Sequence, residues 1–396
     1  MSHQTVTTAA HLEDLCARMK GAERIGFDTE FVSEDTFRPQ LCLVQVVVGE
    51  HMAVIDPQEV DDVEPFWRVL AEGDHTTVVH AAREEINFSL TAIGAPPANI
   101  FDTQLAAGFC STEYPAAYSS VVTRFLRRKL AKGEQRTDWR KRPLTAEQIN
   151  YALEDVRHLF ALHDTIAGSV EKLGRTEWLA AETEAFVAEV IAARSRMRWR
   201  KVSGAGSLPA RGMAIVRELW MWRYAEAERR DLPPKRILRD DLIVELAKRR
   251  TARPEKIRAV RGMQYGQLKK SINAIAECVQ KGLDASVDDL LPASRHSPPP
   301  QLNLLGQFLS PAITSICRSE SMAASLTCTA TDVRDLIAYR LGFAAPGAGE
   351  PVLASGWRAE LVGNLIDDLL AGRKSIRIDN PKREHPLAIE STADGG

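Results

Sequence analysis

Two carboxylates, Asp28 and Glu30, flank Thr29 in the segment RIGFDTEF. Successive side chains on a strand alternate faces, so both acids project to one side, close enough to share a divalent cation through hard oxygen ligands. A second pairing, Tyr151 and Asp155 in YALED, has the four-residue spacing that stacks side chains on one helix face. A phenol with an ordinary pKa of about 10 is a poor base at neutral pH, so its chemistry would be to orient a water rather than deprotonate it. A third acidic element, Glu84-Glu85, lies where the apolar run Val78–Val79 passes into a helix start. Those acids either complement the helix dipole or supply a further carboxylate to the same centre.

These residues need elements to hold them. Arg24 to Phe31 reads as a strand with Ile25, Phe27 and Phe31 on one face and Gly26, Asp28 and Glu30 on the other. Leu41 to Val48 and Met52 to Ile55 read as antiparallel neighbours joined around Gly49-Glu50, and Thr76 to His80 as a fourth strand. Helical periodicity covers Glu84 to Ile93, Thr103 to Phe109, Tyr118 to Leu126, Thr145 to Lys172 and Glu177 to Arg200. The Thr145 helix opens with Gln148 three residues on, a capping-box pattern. The expected architecture is a small mixed sheet flanked by helices, an α/β domain over residues 1–200. Where the Tyr151 face meets the sheet, the phenol and Asp155 can converge on Asp28 and Glu30.

At 396 residues the chain is long enough for two or three domains. With 44% hydrophobic and 26% charged residues it has a globular composition, and no apolar run is long enough to span a membrane. No signal peptide is expected, and six scattered cysteines without a CxxC pair argue against a zinc ribbon or a disulfide scaffold. A cytoplasmic location is therefore expected. Net charge is only −2, yet 18 Lys/Arg stand against 9 Asp/Glu between Arg211 and Gly282. A second basic cluster runs from Arg124 to Arg142. Segregated positive charge of this kind is either a phosphate footprint or a solvated helix face. An all-helical pattern fills 211–285, a Pro/Ser linker follows at 286–303, a second helical block spans 304–378, and a disordered tail is expected over 380–396.

The order D-x-E, strand-to-helix acid, Y-x-x-x-D resembles the DEDD exonuclease superfamily in its tyrosine variant. IGFDTEF, PQLCLVQV, VVHAARE, FDTQLAA, QRTDWRKRPL and YALEDVRHL narrow this to a resemblance to ribonuclease D over about Arg24 to Leu162. Asn150 occupies a position that does not fit the histidine subgroup. LWMWRYAEAERRDLPPKRILRDDLIVELAKRR, with IRAVRGM, resembles the HRDC domain, with Trp220 and Trp222 expected in its core. SGWRAELVGNLIDDLLAGRKSIRI looks like a second, more divergent copy whose acids roughly match its bases.

The resemblance implies a ribonuclease H-like exonuclease domain followed by two HRDC-type bundles, acting as a monomer on RNA such as tRNA precursors. It implies two Mg²⁺ or Mn²⁺ ions. Asp28 would bridge both, Glu30 and Asp155 would complete the shell of one, and Glu85 would support the other. Tyr151 would orient the attacking water, and nucleoside 5′-monophosphates would leave. Gln45, His80, Lys132, Gln135 and Arg142 are candidates for touching the RNA. The pattern departs from the family at Glu85, where ribonuclease D normally carries aspartate. Glu85 is expected to act as a slightly relocated ligand. The alternatives are compensation by Asp102, which is otherwise structural, or a catalytically weakened RNA-binding protein. A 3′–5′ DNA exonuclease is the rival with the same chemistry.

Overall fold

The computed structural model describes residues 3–130, 137–264, 266–286, 299–345 and 347–392. The chain opens with β1 (Gln4–Val6), α1 (Ala9–Lys20), β2 (Arg24–Val32), β3 (Gln40–Val48), β4 (His51–Ile55), α2 (Glu64–Glu72), β5 (Thr76–Val79), α3 (Arg83–Ala92) and β6 (Ile100–Asp102). The strands form one sheet in the order β1-β4-β3-β2-β5-β6. β3 runs antiparallel to β2 and β4 on either side of it, while β1 joins β4, β5 joins β2 and β6 joins β5 in parallel. The expected strands are all present, and β1 and β6 extend the sheet at its two edges.

Alternation along the strands separates two cores. Ile25, Phe27, Val44 and Val46 face α1, α2 and α3, with Phe66 and Trp67 of α2 packed edge-on against Phe27. The opposite face, with Leu43, Val47 and Val54, is covered by helices that follow in the sequence. The chain continues through α4 (Thr103–Gly108), α5 (Tyr118–Leu126), α6 (Ala146–Arg157), α7 (Leu159–Lys172) and α8 (Thr176–Ser195); α6 and the start of α7 cover this face, while Val190 of α8 packs into the first core.

The single helix expected from Thr145 to Lys172 is two helices broken at His158. The Tyr118 hydroxyl accepts from the His158 amide and donates to the Glu154 carbonyl, both at 3.3 Å. That amide and carbonyl would otherwise pair as i and i−4, so an inserted side chain divides the ladder. No local periodicity reveals this, because Tyr118 lies 40 residues away from His158. The helix expected to reach Arg200 ends at Ser195, and Trp199 then turns into a neighbouring core.

The first C-terminal module comprises α9 (Ala210–Arg230), α10 (Pro234–Ile237), α11 (Asp240–Arg249), α12 (Pro254–Arg258) and α13 (Ile272–Asp284). Its core is its own, centred on Ile215, Leu219, Ile243, Leu246 and Val279. The linker assigned to 286–303 lies largely outside the described residues, and its last residues are already helical.

The second module comprises α14 (Pro300–Ser319), α15 (Ala324–Thr327), α16 (Ala330–Arg340), α17 (Gly356–Arg358) and α18 (Asn364–Leu370). It is not an independent bundle. Leu309, Ile313, Leu336 and Trp357 share one core with Leu105, Phe109, Val122 and Ile166 of the sheet domain. The tail expected to be disordered from 380 instead carries a strand. β7 (Lys374–Ile378) pairs antiparallel with β8 (Leu387–Ser391), where the alternating aliphatics Ile376 and Ile378 stand opposite Ile389 and Leu387.

Candidate active site

β2 is the central strand, and its register sets the site. Asp28 stands opposite Gln45 and Glu30 opposite Leu43 on β3, on the face covered by α6. The β2–β3 ladder slips between Glu30 and Phe31, a bulge of the kind that re-aims a side chain next to a site. Two residues upstream, Gly26 keeps that face open. A Cβ there would sit 2.6 Å from Val47 Cγ1 and 3.1 Å from Leu159 Cδ1 at the start of α7. The absent side chain lets the α6–α7 break settle close onto the sheet, which brings Asp155 over Asp28.

α6 begins with the predicted capping box, Thr145 and Gln148 each satisfying the other's backbone amide. The buried residues Ala152, Leu153 and Val156 anchor one side of the helix. Tyr151 and Asp155 then lie one turn apart at the edge of that contact, with Tyr151 packed 6.2 Å from the Trp139 ring. The result is a cluster. Ligand oxygens of Asp28, Glu30 and Asp155 all lie within 4.8 Å of one another.

Like charges this close in a half-buried cleft disfavour ionisation. Burial first, and the Asp155 charge second, push Asp28 up to about 7. Glu30 rises to about 9 through burial and then the charges of Asp28, Asp155 and Glu85. Burial raises Asp155 to about 7, held back by a hydrogen bond from the Tyr151 hydroxyl. Burial and the same carboxylate raise Tyr151, so the phenol stays protonated. Among the described residues no Lys or Arg forms an ion pair with these acids.

Glu85 does not join the three-carboxylate cluster directly. It is buried on α3, where its Oε1 accepts from Thr29 Oγ1 at 2.9 Å and its Oε2 has no partner among the described residues. Burial, then the Asp28 charge, raises it well above its ordinary value. Asp102 aims this helix rather than serving the cluster. Its carboxylate accepts from Ala81 N and Ala82 N, each at 2.9 Å, and caps α4 through Gln104 N at 2.8 Å. The clamp holds Ala81 at a positive φ of 64°, which turns the chain sharply from β5 into α3.

The candidates for touching RNA separate. Gln45 is fully buried beside Asp28, and neither amide atom has a partner among the described residues. His80 and Arg142 are both held by contacts within the protein. Burial lowers the pKa of the His80 ring; its Nε2 donates to Ala116 O at 3.1 Å, its Nδ1 lies 2.9 Å from Thr103 Oγ1, and its ring packs on Tyr118. Arg142 grips Asp56 bidentately at 2.5 and 2.7 Å and donates to the carbonyls of Trp139 and Cys42, so its guanidinium is spent inside the protein. Lys132 and Gln135 lie outside the described residues. Spacing missed Tyr118 and Thr29, which act on the site through Glu154–His158 and Glu85 respectively.

A mixed sheet with two acids on its central strand, and a covering helix bringing a third acid four residues after a tyrosine, defines a DEDD-type 3′–5′ exonuclease. The family model described as 3′-5′ exonuclease matches residues 3–171, and the HRDC domain model matches 213–279. The chain belongs to the ribonuclease D family and is a 3′–5′ exoribonuclease. It is 32% identical over 378 residues to ribonuclease D of Acidiphilium cryptum, covering 94% of each chain. Against ribonuclease D of Escherichia coli it is 29% identical over 384 residues, covering 93% of this chain and 99% of that one. The crystal structure of Escherichia coli RNase D, described as an exoribonuclease involved in structured RNA processing, superposes with a TM-score of 0.79 at 27% identity. That superposition covers 94% of this chain and 99% of the other.

Proposed function

We propose that this exoribonuclease trims the 3′ ends of structured RNA, tRNA precursors among them, releasing nucleoside 5′-monophosphates one at a time. Asp28, Glu30, Glu85 and Asp155 hold two divalent cations, Mg²⁺ or Mn²⁺, at its centre. One observation carries the reading: three carboxylates meet within 4.8 Å, and among the described residues no Lys or Arg forms an ion pair with them. Such a cluster is costly to ionise unless a cation completes it. The unpartnered Oε2 of Glu85, buried beside Asp28, fits the same requirement. Thr29 steadies the longer glutamate side chain, which supports Glu85 as the relocated fourth carboxylate.

Bound divalent cations supply Lewis-acid polarisation of the scissile phosphodiester and neutralise its developing charge. The residues do the rest. Asp28, Glu30 and Asp155 fix the centre on rigid elements, and Tyr151, kept protonated, orients the attacking water by hydrogen bonding. Tyr118 and Gly26 set how closely α6 approaches the strand, and ångström-scale placement of this kind governs such reactions.

The second C-terminal module reads as a divergent copy of the first. α9, α10 and α11 are 21, 4 and 10 residues long, and α14, α15 and α16 are 20, 4 and 11. Free cysteines support a reducing, cytoplasmic setting for a monomeric enzyme, and no helix among the described residues is long and apolar enough to cross a membrane.

The test incubates the purified protein with a 3′-extended tRNA precursor and a matched single-stranded DNA in Mg²⁺, Mn²⁺ or EDTA. Stepwise 3′ shortening of the RNA that EDTA abolishes is expected. Absence of metal-dependent shortening overturns the reading, and preferred shortening of the DNA overturns its substrate. Glu85→Asp should stay active and Glu85→Gln should not; full activity of Glu85→Gln removes Glu85 from the ligand set.

A further inference from the structure

A cleft of about 510 Å³ opens between the sheet domain and the first C-terminal module, and none of the clustered acids lines it. Arg38, Arg83, Arg194, Arg196 and Arg198 all line it, against the single carboxylate of Glu84. One wall is the outer stripe of α3, where Arg83, Asn87 and Thr91 follow at helical spacing. Glu85, on the buried side of the same helix, belongs to the catalytic half. The opposite wall is aromatic. Trp220 and Tyr224, one turn apart on α9, stack at 5.0 Å with planes 18° apart, and Tyr224 remains 41% exposed.

The basic wall is partly fixed and partly free. Arg194 Nη1 donates to Asn87 O at 2.9 Å and to Thr91 Oγ1 at 3.2 Å, pinning the end of α8 to α3. Arg38 and Arg83 each share one exposed ion pair, with Glu228 and Glu189. Arg196 and Arg198 are exposed and make no ion pair among the described residues; both lie near enough to Glu189 to lower its pKa. Guanidinium groups along one wall and a flat ring on the other match a phosphodiester chain with its bases. Five cations around one concavity are a poor fit for a protein partner and a good one for a polyanion.

We infer that this cleft is the binding site for the RNA strand upstream of the scissile 3′ end, with Arg196 and Arg198 on its phosphates and Tyr224 stacking under a base. The inference rests on the exoribonuclease reading and deepens it. The contacts address backbone charge and ring faces, so the cleft holds RNA without selecting sequence. It also gives the first module a defined job, because α9 supplies the stacked Trp220–Tyr224 wall.

The test compares the parent with R196A/R198A, Y224A and Y224F on a long 3′-extended RNA and on a two-nucleotide RNA, whose only phosphodiester is the scissile one. For R196A/R198A, binding of fluorescein-labelled long RNA by anisotropy should weaken. The slope of log affinity against log salt should shrink by about 1.4, the value for two lost single-strand phosphate contacts. Y224A should weaken binding about ten-fold and Y224F should restore it, since the ring stacks and the hydroxyl does not. KM for long RNA should rise in step while turnover of the two-nucleotide RNA stays at the parent rate. Unchanged affinity and salt slope in both variants overturn the site. Equal loss on both substrates overturns it as well, by moving the effect to the acid cluster or the fold. If the parent itself shortens no RNA, the exoribonuclease reading is what fails.

Discussion

Among the described residues, the first C-terminal module makes its polar contacts to the sheet domain through the loop at 35–38, whereas the second shares a hydrophobic core with it. Residues 35–38 make the first contact: Arg38 pairs with Glu228, Arg236 with Asp35, the Phe37 amide donates to Asp231, and the Phe37 ring meets Tyr224 at 4.9 Å. These ion pairs are solvent-exposed, and such pairs contribute little net stability. The second contact is buried. Arg175, only 4% exposed, donates to Phe109 O and Glu320 O; Arg358 grips Glu182 at 2.7 and 2.8 Å; and Trp357 packs against both Phe109 and Trp178. Gly108 has no room for a side chain, since a Cβ would meet Leu326 at 2.9 Å. One module is built into the enzyme, and the other is held against it and able to answer to what lies between them.

The largest test of that contrast is Trp357→Ala. It should cost the sheet domain about 3–5 kcal/mol, the range for removing a buried aromatic, and calorimetry should show that domain and the second module melting together. If the sheet domain's transition is unmoved, the core is not shared in energy. Tyr118→Phe comes next. It removes the hydroxyl that divides α6 from α7, and kcat should fall by up to about a hundred-fold with thermal stability nearly kept, as for a small misplacement of a catalytic group. An unchanged kcat would mean the break does not set the position of Asp155.

The acids make the contrast visible in pH. Asp28 and Asp155 stand at about 7 and Glu30 at about 9, all above their unfolded values. A carboxyl raised on folding gives stability that is full below its unfolded pKa, about 4, and lost as pH rises through the folded value. In EDTA, the melting temperature of the sheet domain should therefore fall between pH 5 and pH 9, and Mg²⁺ or Mn²⁺ should reverse the fall. The first module's transition should show no such dependence on the cation. A cation effect on that transition would show that the two regions are coupled. The smallest effect is expected for Arg38→Ala, below about 1 kcal/mol on either transition, because its ion pair with Glu228 is exposed.

Much of the catalytic centre was legible in residue type and spacing. Asp28 and Glu30 share a strand face because alternation has a period of two, and Tyr151 and Asp155 share a helix face because its period is near four. The basic bias of 211–282 and the helical pattern there marked a separate module whose core the structure shows to be self-contained. Arg142 shows where such reading stops: a basic residue in a basic run carries the same sign whether it faces RNA or Asp56, and only the fold brings Asp56 to it.

The sequence by itself determined the chemistry, because two carboxylates on an apolar strand and a tyrosine four residues before an aspartate are local patterns, fixed by backbone periodicity. Tertiary structure alone decided the long-range contacts. It set Tyr118 into the helix ladder at His158, left Glu85 on Thr29 rather than in the three-acid cluster, and merged the second module's core with that of the sheet domain. Those outcomes depend on which distant surfaces compete for the same space, and no stretch of chain records its neighbours in advance.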